Sequence, residues 1–167
     1  MSSIKNLNDL FVGQLRDIYY AEKKILSVIK TMSKKCKDTN LQKAFEKDIS
    51  DTENQINVLE EVMTSLDLQV KGEKCEAIEG LVKEAEELIK DVEDPEAMDA
   101  SLILAIQKIK HYEIATYGCL CAFGNRLGYE IQSQKMHKVL EQQKKSDVEL
   151  TRLAEGPTAL NKKAMAS

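Results

Sequence analysis

The sequence predicts an all-α protein built from four long helices and one shorter helix. Its 167 residues include only two prolines and seven glycines, the residue types that disfavour helix most strongly. Apolar residues recur at three- and four-residue spacing through four long segments, as they do on the buried face of an amphipathic helix. Polar stretches and glycine or proline separate these segments and mark the helix ends.

The first two long helices are predicted over residues 7–36 and 40–66. Asn6 stands where an N-cap side chain is expected for the first helix, and Thr39 or Asn40 stands there for the second. Only a few residues separate the two segments. Because short connections join antiparallel neighbours, these helices should form a hairpin.

A shorter helix is predicted over residues 75–91, followed by long helices over 95–124 and 129–155. Pro95 lies in the first turn of the third long helix, where proline is tolerated. A Gly-Pro pair follows the fourth long helix and stops it. The third and fourth long helices are also joined by few residues and should form a second hairpin.

The connection between the two hairpins sets the topology. About thirty residues, including the short helix, separate the second long helix from the third, which is enough chain to run back along a bundle. Two hairpins with one such crossover have the connectivity of a ferritin-like four-helix bundle. We therefore expect one ferritin-like domain over residues 1–156 and a flexible C-terminal tail over 157–167.

Composition argues against several classes of function. The formal net charge is −4 and acidic and basic residues are interspersed, so nucleic-acid binding is not expected. No apolar run reaches membrane-spanning length, and the N-terminal residues lack the apolar core of a secretory signal. We expect a cytoplasmic protein whose cysteines are free thiols.

Polar residues interrupt each apolar stripe near the middle of its helix. On a helical wheel of ~100° per residue, most of them fall at or near the stripe centre. Mid-helix positions on inward faces lie at one level of a bundle, so the sequence predicts a polar layer. The interruptions are Glu22 in the first long helix, Asp48, Thr52 and Gln55 with Asp51 at the edge in the second, Lys110 with Glu113 at the edge in the third, and Gln143 and Asp147 in the fourth.

Buried carboxylates in this layer need cationic partners, because an unpaired charge is costly to remove from water. One interpretation is a pair of iron or manganese ions, for which carboxylate oxygens are suitable ligands. The alternative is an internal layer of ion pairs and hydrogen bonds, with Lys110 as the cation. A third is that the helical faces are assigned wrongly and some of these side chains reach solvent.

Four segments carry a resemblance to a known family. They are LRDIYYAEK at 15–23, DTENQI at 51–56, HYEIATYG at 111–118 and LEQQKKSD at 140–147. Together they resemble the YciE/YciF family of bacterial stress proteins, and most closely its YciF-like branch. The similarity extends through nearly the whole chain, and the HYEIA segment is its most specific part.

The resemblance implies a rubrerythrin-related, ferritin-like bundle, usually dimeric, from a family linked to stress responses and labelled ferroxidase-like. It implies metal ligands at position 22 and at the pairs 48 and 51, 110 and 113, and 143 and 147. This chain has Asp48 where relatives tend to carry His, and it has Asp51, Lys110 and Gln143 where they carry Glu. The candidate metal ligands are therefore Glu22, Asp48, Asp51, Glu113 and Asp147.

Two functions remain as hypotheses. The first is a ferroxidase-like oxidoreductase that binds iron, or manganese, and oxidises Fe(II) with oxygen or peroxide. The second is a non-catalytic ferritin-like protein in which Lys110 replaces the metal ions. With Lys110 inside the layer, we expect at most one weakly bound iron per chain. A homodimer is expected from the resemblance, and because Leu102 and Leu120 lie beside the core stripe and need a cover.

Overall fold

The computed structural model describes residues 4–157 and 159–165, and within them the chain is all-helical, with no β-strand. The predicted long helices and the predicted shorter helix are all present, with ends within two residues of those expected. The helices are α1 (Leu7–Lys35), α2 (Thr39–Ser65), α3 (Glu76–Asp91), α4 (Pro95–Arg126), α5 (Glu130–Glu155) and α6 (Leu160–Lys163).

The helix caps agree with the sequence at α1 and differ at α2. Asn6 Oδ1 accepts a hydrogen bond from the Asp9 backbone N–H at 2.8 Å, as expected for an N-cap. The cap of α2 is Asp38 rather than Thr39 or Asn40, because its carboxylate accepts from the Asn40 N–H at 2.9 Å and the Leu41 N–H at 3.1 Å. The stronger acceptor lies one residue earlier and sets the helix start.

The four long helices pack side by side, and their side-chain pairs fix their directions. α1 contacts α2 and α4, and α5 also contacts α2 and α4. The pairs are Lys30–Glu53 and Tyr19–Glu60 between α1 and α2, Asp48–Ser146 and Glu61–Lys135 between α2 and α5, and Gln107–Thr151 and Cys121–Ser133 between α4 and α5. Each of these helix pairs is antiparallel, so α2 and α4 run in the same direction.

The connection from α2 to α4 contains α3, which packs against α1 and α4. Cys75 Sγ caps α3 by accepting from the Ile78 N–H at 3.4 Å. The same sulfur contacts Tyr112 Oη at 3.3 Å, and the Tyr112 hydroxyl donates to Asp17 Oδ2 at 3.0 Å. These contacts join the start of α3 to both α4 and α1.

The structure contradicts the argument that Leu102 and Leu120 need a cover, and it leaves the flexibility of the C-terminal tail a prediction. Leu102 and Leu120 are buried within this chain, so they need no second copy to cover them. In the segment predicted to be a flexible tail, Leu160–Lys163 form α6, Leu160 is buried, and Lys163 Nζ lies 3.3 Å from Asp38 Oδ2. The mobility of the tail stays a prediction, and residues 158, 166 and 167 lie outside the described residues.

Membrane-spanning character is a property of single helices, here those within residues 4–157 and 159–165. No helix among them combines the length and the apolar character that crossing a bilayer requires.

Candidate functional site

A polar layer crosses the centre of the helix assembly, as the sequence predicts. We use the name polar layer for seven buried polar side chains contributed by all four long helices. Each of these residues is at most 3% exposed. They are Glu22 on α1, Asp48, Thr52 and Gln55 on α2, Lys110 and Glu113 on α4, and Gln143 on α5.

The Lys110 ammonium lies inside this layer. Its Nζ is 3.3 Å from Asp48 Oδ2 and 3.5 Å from Glu113 Oε2. Burial lowers the pKa of Lys110, but the negative charges of Glu113, Asp48 and Glu22 outweigh it and raise this pKa above its ordinary value. The layer therefore contains a protonated lysine at neutral pH.

Internal donors occupy one oxygen of each carboxyl group. The Tyr117 hydroxyl donates to Glu22 Oε1 at 2.7 Å, and the Ser146 hydroxyl donates to Asp48 Oδ1 at 2.8 Å. Gln143 Nε2 donates to Glu113 Oε1 at 2.8 Å. These donors and Lys110 satisfy most of the layer without any added ion.

Gln143 also links α5 to α2. Its Nε2 donates to Gln55 Oε1 at 2.8 Å as well as to Glu113. A glutamate at this position would have no N–H to give to either acceptor. The amide therefore suits a hydrogen-bonded layer, in which it connects three helices.

Three buried oxygens of the layer have no hydrogen-bond partner. They are Glu22 Oε2, Thr52 Oγ1 and Glu113 Oε2, the last with Lys110 Nζ at 3.5 Å. Burial raises the pKa of Glu113 to about 7. Burial, and next the charge of Glu113, raise the pKa of Glu22 well above its ordinary value. These two carboxyl groups resist ionisation because water does not reach them.

Two of the five candidate ligands lie outside the polar layer. Asp51 Oδ2 pairs with Lys47 Nζ at 2.5 Å, and its side chain is 21% exposed. Asp147 Oδ2 lies 3.2 Å from His111 Nε2, and its Oδ1 accepts from Gln107 at 3.2 Å. The sequence places Asp51 at the edge of its apolar stripe and Asp147 close to the centre of its own. In the structure Asp147 is instead partly exposed and reaches partners on α4 near the surface.

The residues of the layer do not fit a pair of metal ions. Among the described residues, no group of three or more His, Cys, Asp or Glu side chains is arranged to hold a metal. Glu22, Asp48 and Glu113 are brought together, but the Lys110 ammonium lies between two of them and repels a cation. Binding of at most one iron per chain, and that weakly, stays a prediction.

Two polar residues with structural roles were not predicted from the sequence, one beside the polar layer and one that binds the turn between α1 and α2. Ser146 supplies a hydrogen bond to Asp48, and the signal was its place one turn from Gln143 on α5. Asp99 is 1% exposed, and its two oxygens accept from the backbone N–H groups of Lys37 and Asp38 at 2.8 Å each. The available signal was an aspartate in line with the apolar stripe of α4.

Comparisons with known proteins give one family and similar relatives. Residues 6–165 match the family model described as a domain of unknown function, DUF892. Protein YciF of Escherichia coli strain K12 is 37% identical over 163 residues, which is 97% of each protein.

Two solved structures are also similar to the chain. The E. coli stress protein YciF superposes with a TM-score of 0.87 at 38% identity, covering 90% of this chain and 96% of that one. YcfI of Rhodopseudomonas palustris, described as a candidate structural protein, superposes with a TM-score of 0.88 at 32% identity and with the same coverage.

Proposed function

The chain belongs to the DUF892 family, and from that premise we propose that it is a ferritin-like stress-response protein with a structural or interaction role. In this proposal a buried lysine and its carboxylate partners hold the centre of a four-helix bundle, in the place of two metal ions. The similarity to the stress protein YciF supports the stress-response part. The description of YcfI as a candidate structural protein supports the non-catalytic part.

The ferritin-like part of the proposal rests on connectivity. α1 pairs with α2, and α4 pairs with α5, each through a short connection. α2 and α4 run in the same direction and are joined by the long segment that contains α3. Two antiparallel hairpins with one long crossover are typical of ferritin-like bundles.

The position of Lys110 is the observation that carries the non-catalytic role. Its Nζ lies within 3.5 Å of both Asp48 and Glu113, two of the three buried carboxyl groups that a metal would use. A buried ammonium and a divalent cation compete for the same oxygens, and bringing both into one cluster adds like-charge repulsion. The lysine is part of the chain and cannot dissociate.

A second candidate function is ferroxidase-like oxidation of Fe(II), at a carboxylate site reduced from two metals to one. It is favoured by Glu22 Oε2 and Glu113 Oε2, two buried carboxyl oxygens without a hydrogen-bond partner. Iron or manganese would have to displace Lys110 from Glu113, and Asp51 and Asp147 would have to leave their present partners to join. This reorganisation makes the second candidate weaker than the first.

The proposal includes a cytoplasmic homodimer. All four cysteines are free thiols, which suits a reducing compartment.

Residues 114–125 of α4 contain no charged side chain, although Ala115, Cys119 and Ala122 are exposed. We expect Ala115→Glu with Ala122→Glu to give monomers in sedimentation, while Gln42→Glu on α2 leaves the mass unchanged. A wild-type monomer at micromolar concentration would contradict the dimer.

Thermal unfolding with added metal tests the proposed function. A ligand at 100 times its dissociation constant stabilises the folded state by about 2.7 kcal/mol. We compare the thermal unfolding midpoint of the full chain in a chelator with its midpoint in Mn(II), or in Fe(II) under argon, without the chelator. We expect the two midpoints to be equal. A concentration-dependent rise that disappears in Glu113→Gln would support the second candidate instead.

A further inference from the structure

A groove runs along the outer surface of the helix assembly between α2 and α5. Because α3 packs against α1 and α4, it leaves this face open. The groove has a volume of about 490 Å³, which is within the range of small-molecule sites. We call it the α2–α5 groove, and the side chains that define it are Asn54 and Val58 on α2 and Lys138, Val139, Gln142 and Lys145 on α5.

We propose that the α2–α5 groove binds a small organic phosphate. An apolar ring of this ligand would cover the two valines, and its phosphate would lie between the two lysines. The ligand class follows from three properties of the groove: its apolar floor, its unpaired positive charges and the spacing of its donors.

The floor of the groove is apolar. Val58 is half-buried, and Val139 beside it is 1% exposed. One end of the groove is bounded by an ion pair between the helices, in which Lys135 Nζ lies 2.7 Å from Glu61 Oε2. A ring placed on the valines would remove apolar surface from water without having to displace this pair.

Two lysines beside the floor lack an ion-pair partner within the described part of the chain. Lys138 and Lys145 are both exposed, and neither ammonium contacts a carboxylate there. The nearby acid Glu141 contacts Lys144 at 2.9 Å, and Lys145 acts on it only at longer range. An anion with two negative charges would therefore complement the groove, because opposite charges attract at close approach.

The spacing of the donors favours a phosphate over a carboxylate. Lys138, Gln142 and Lys145 are four and three residues apart, so they share one stripe of α5. Seven residues of α-helix rise about 10.5 Å, and flexible lysine stems from both ends can reach one anionic group between them. The amides of Gln142 and Asn54 add N–H donors. A phosphate monoester offers nearly two negative charges and three terminal oxygens, whereas a carboxylate offers one charge and two oxygens.

The α2–α5 groove is separate from the sites described above. Gln55 and Gln143, which follow Asn54 and Gln142 in sequence, belong to the polar layer and are each 1% exposed, so the layer lies behind the groove. The uncharged segment 114–125 belongs to α4, which packs on α5 but does not line the groove. The inference therefore goes beyond the proposed function and does not depend on what the polar layer holds.

Nuclear magnetic resonance of the 15N-labelled full chain at pH 8, titrated with phenyl phosphate, tests the proposal. We expect saturable shifts of the backbone amides of Val58, Val139 and Gln142, with a dissociation constant on the order of 1 mM. Inorganic phosphate, which lacks the ring, should bind about tenfold more weakly. Phenol, which lacks the charge, should give no saturable shift.

Two double variants separate the site from a general effect of charge. Lys138→Gln with Lys145→Gln should weaken phenyl phosphate binding by about tenfold or more. Lys83→Gln with Lys90→Gln is the matched control, because these lysines are also exposed and seven residues apart but lie on α3. The control variant should bind phenyl phosphate as the wild-type protein does. All four positions are at the surface, so both variants should fold.

Three results would overturn the proposal. Shifts that do not saturate, or equal weakening in the two double variants, would remove the site. Equal affinity for inorganic phosphate and phenyl phosphate would contradict the role of the valine floor. Saturable binding of a hexaglutamate peptide in place of phenyl phosphate would show that the groove is a surface for acidic proteins.

Discussion

Lys110 on α4 and Asp48 on α2 form an ion pair across the core of the helix assembly, with Nζ 3.3 Å from Oδ2 and side-chain exposures of 1% and 5%. Both residues belong to the chain, and their ion pair connects the two hairpins. Glu113 lies one turn along α4, and its Oε2 is 3.5 Å from the same ammonium. A lysine therefore provides, at the level of the polar layer, the positive charge that the buried carboxylates require.

Loss of one partner of this pair should destabilise the protein strongly. Asp48→Asn leaves the Lys110 ammonium with a weaker set of acceptors in the core, and breaking a buried pair in this way costs about 3–5 kcal/mol. Urea unfolding measures the change. Asp51→Asn is the control, because its pair with Lys47 is partly exposed and surface pairs contribute about 0–1 kcal/mol. Equal losses in the two variants would contradict the buried pair.

Stability should fall as the pH rises through neutrality. The pKa of Glu113 is about 7 in the folded protein, above the value near 4.3 expected in an unfolded chain. A carboxyl group with a raised folded pKa contributes stability below its unfolded pKa and loses that contribution as the pH passes the folded pKa. Glu22 acts with the same sign.

Urea midpoints between pH 6 and pH 8.5 test this dependence. We expect the midpoint to decrease over this range in the wild-type protein and to decrease less in Glu113→Gln, which has no proton to lose at that site. Asp38, Glu79, Glu141 and Glu149 have lowered pKa values, so their contributions change at more acidic pH. A wild-type midpoint that rises toward pH 8.5 would contradict the assignment.

The contact between α4 and α5 depends on the absence of a side chain at Gly124. A Cβ atom there would lie 2.3 Å from Ser133 Oγ and 3.5 Å from the Phe11 ring. Gly124→Ala should therefore destabilise the protein by about 1–3 kcal/mol through overpacking. Adding Ser133→Ala should restore part of the loss in thermal unfolding. Gly118→Ala is the control, since a Cβ at that position meets no atom within 4 Å.

Two substitutions should convert the polar layer into a metal site. Lys110→Glu with Gln143→Glu removes the buried cation and adds two carboxylates beside Glu22, Asp48 and Glu113. Carboxylates from several helices are the usual ligands of two-metal sites in ferritin-like bundles. We expect the double variant to gain Fe(II) binding and oxidation together, measured by anaerobic titration followed by exposure to oxygen. Lys47→Glu, a surface change of the same type, should gain neither.

The helices and the level of the polar layer are predictable because both depend on spacing within one helix. Glu22, Lys110 and Gln143 interrupt their apolar stripes at mid-length, and the structure buries all three. The partners of Asp51 and Asp147 are less predictable, because they lie outside the apolar stripes: Lys47 is one turn earlier on α2, and His111 is on the neighbouring helix α4. Asp99 was missed because its partners are backbone N–H groups of the distant turn between α1 and α2.

Anaerobic titration of the unmodified full chain with Fe(II), followed by oxygen, tests the central claim that Lys110 holds the place of the metals. The account predicts at most one weakly bound iron per chain and no optical absorption from a ferric pair after oxygen is admitted. Two tightly bound irons per chain with rapid oxidation would show that the ammonium leaves the carboxylates to metal ions, and would contradict the account.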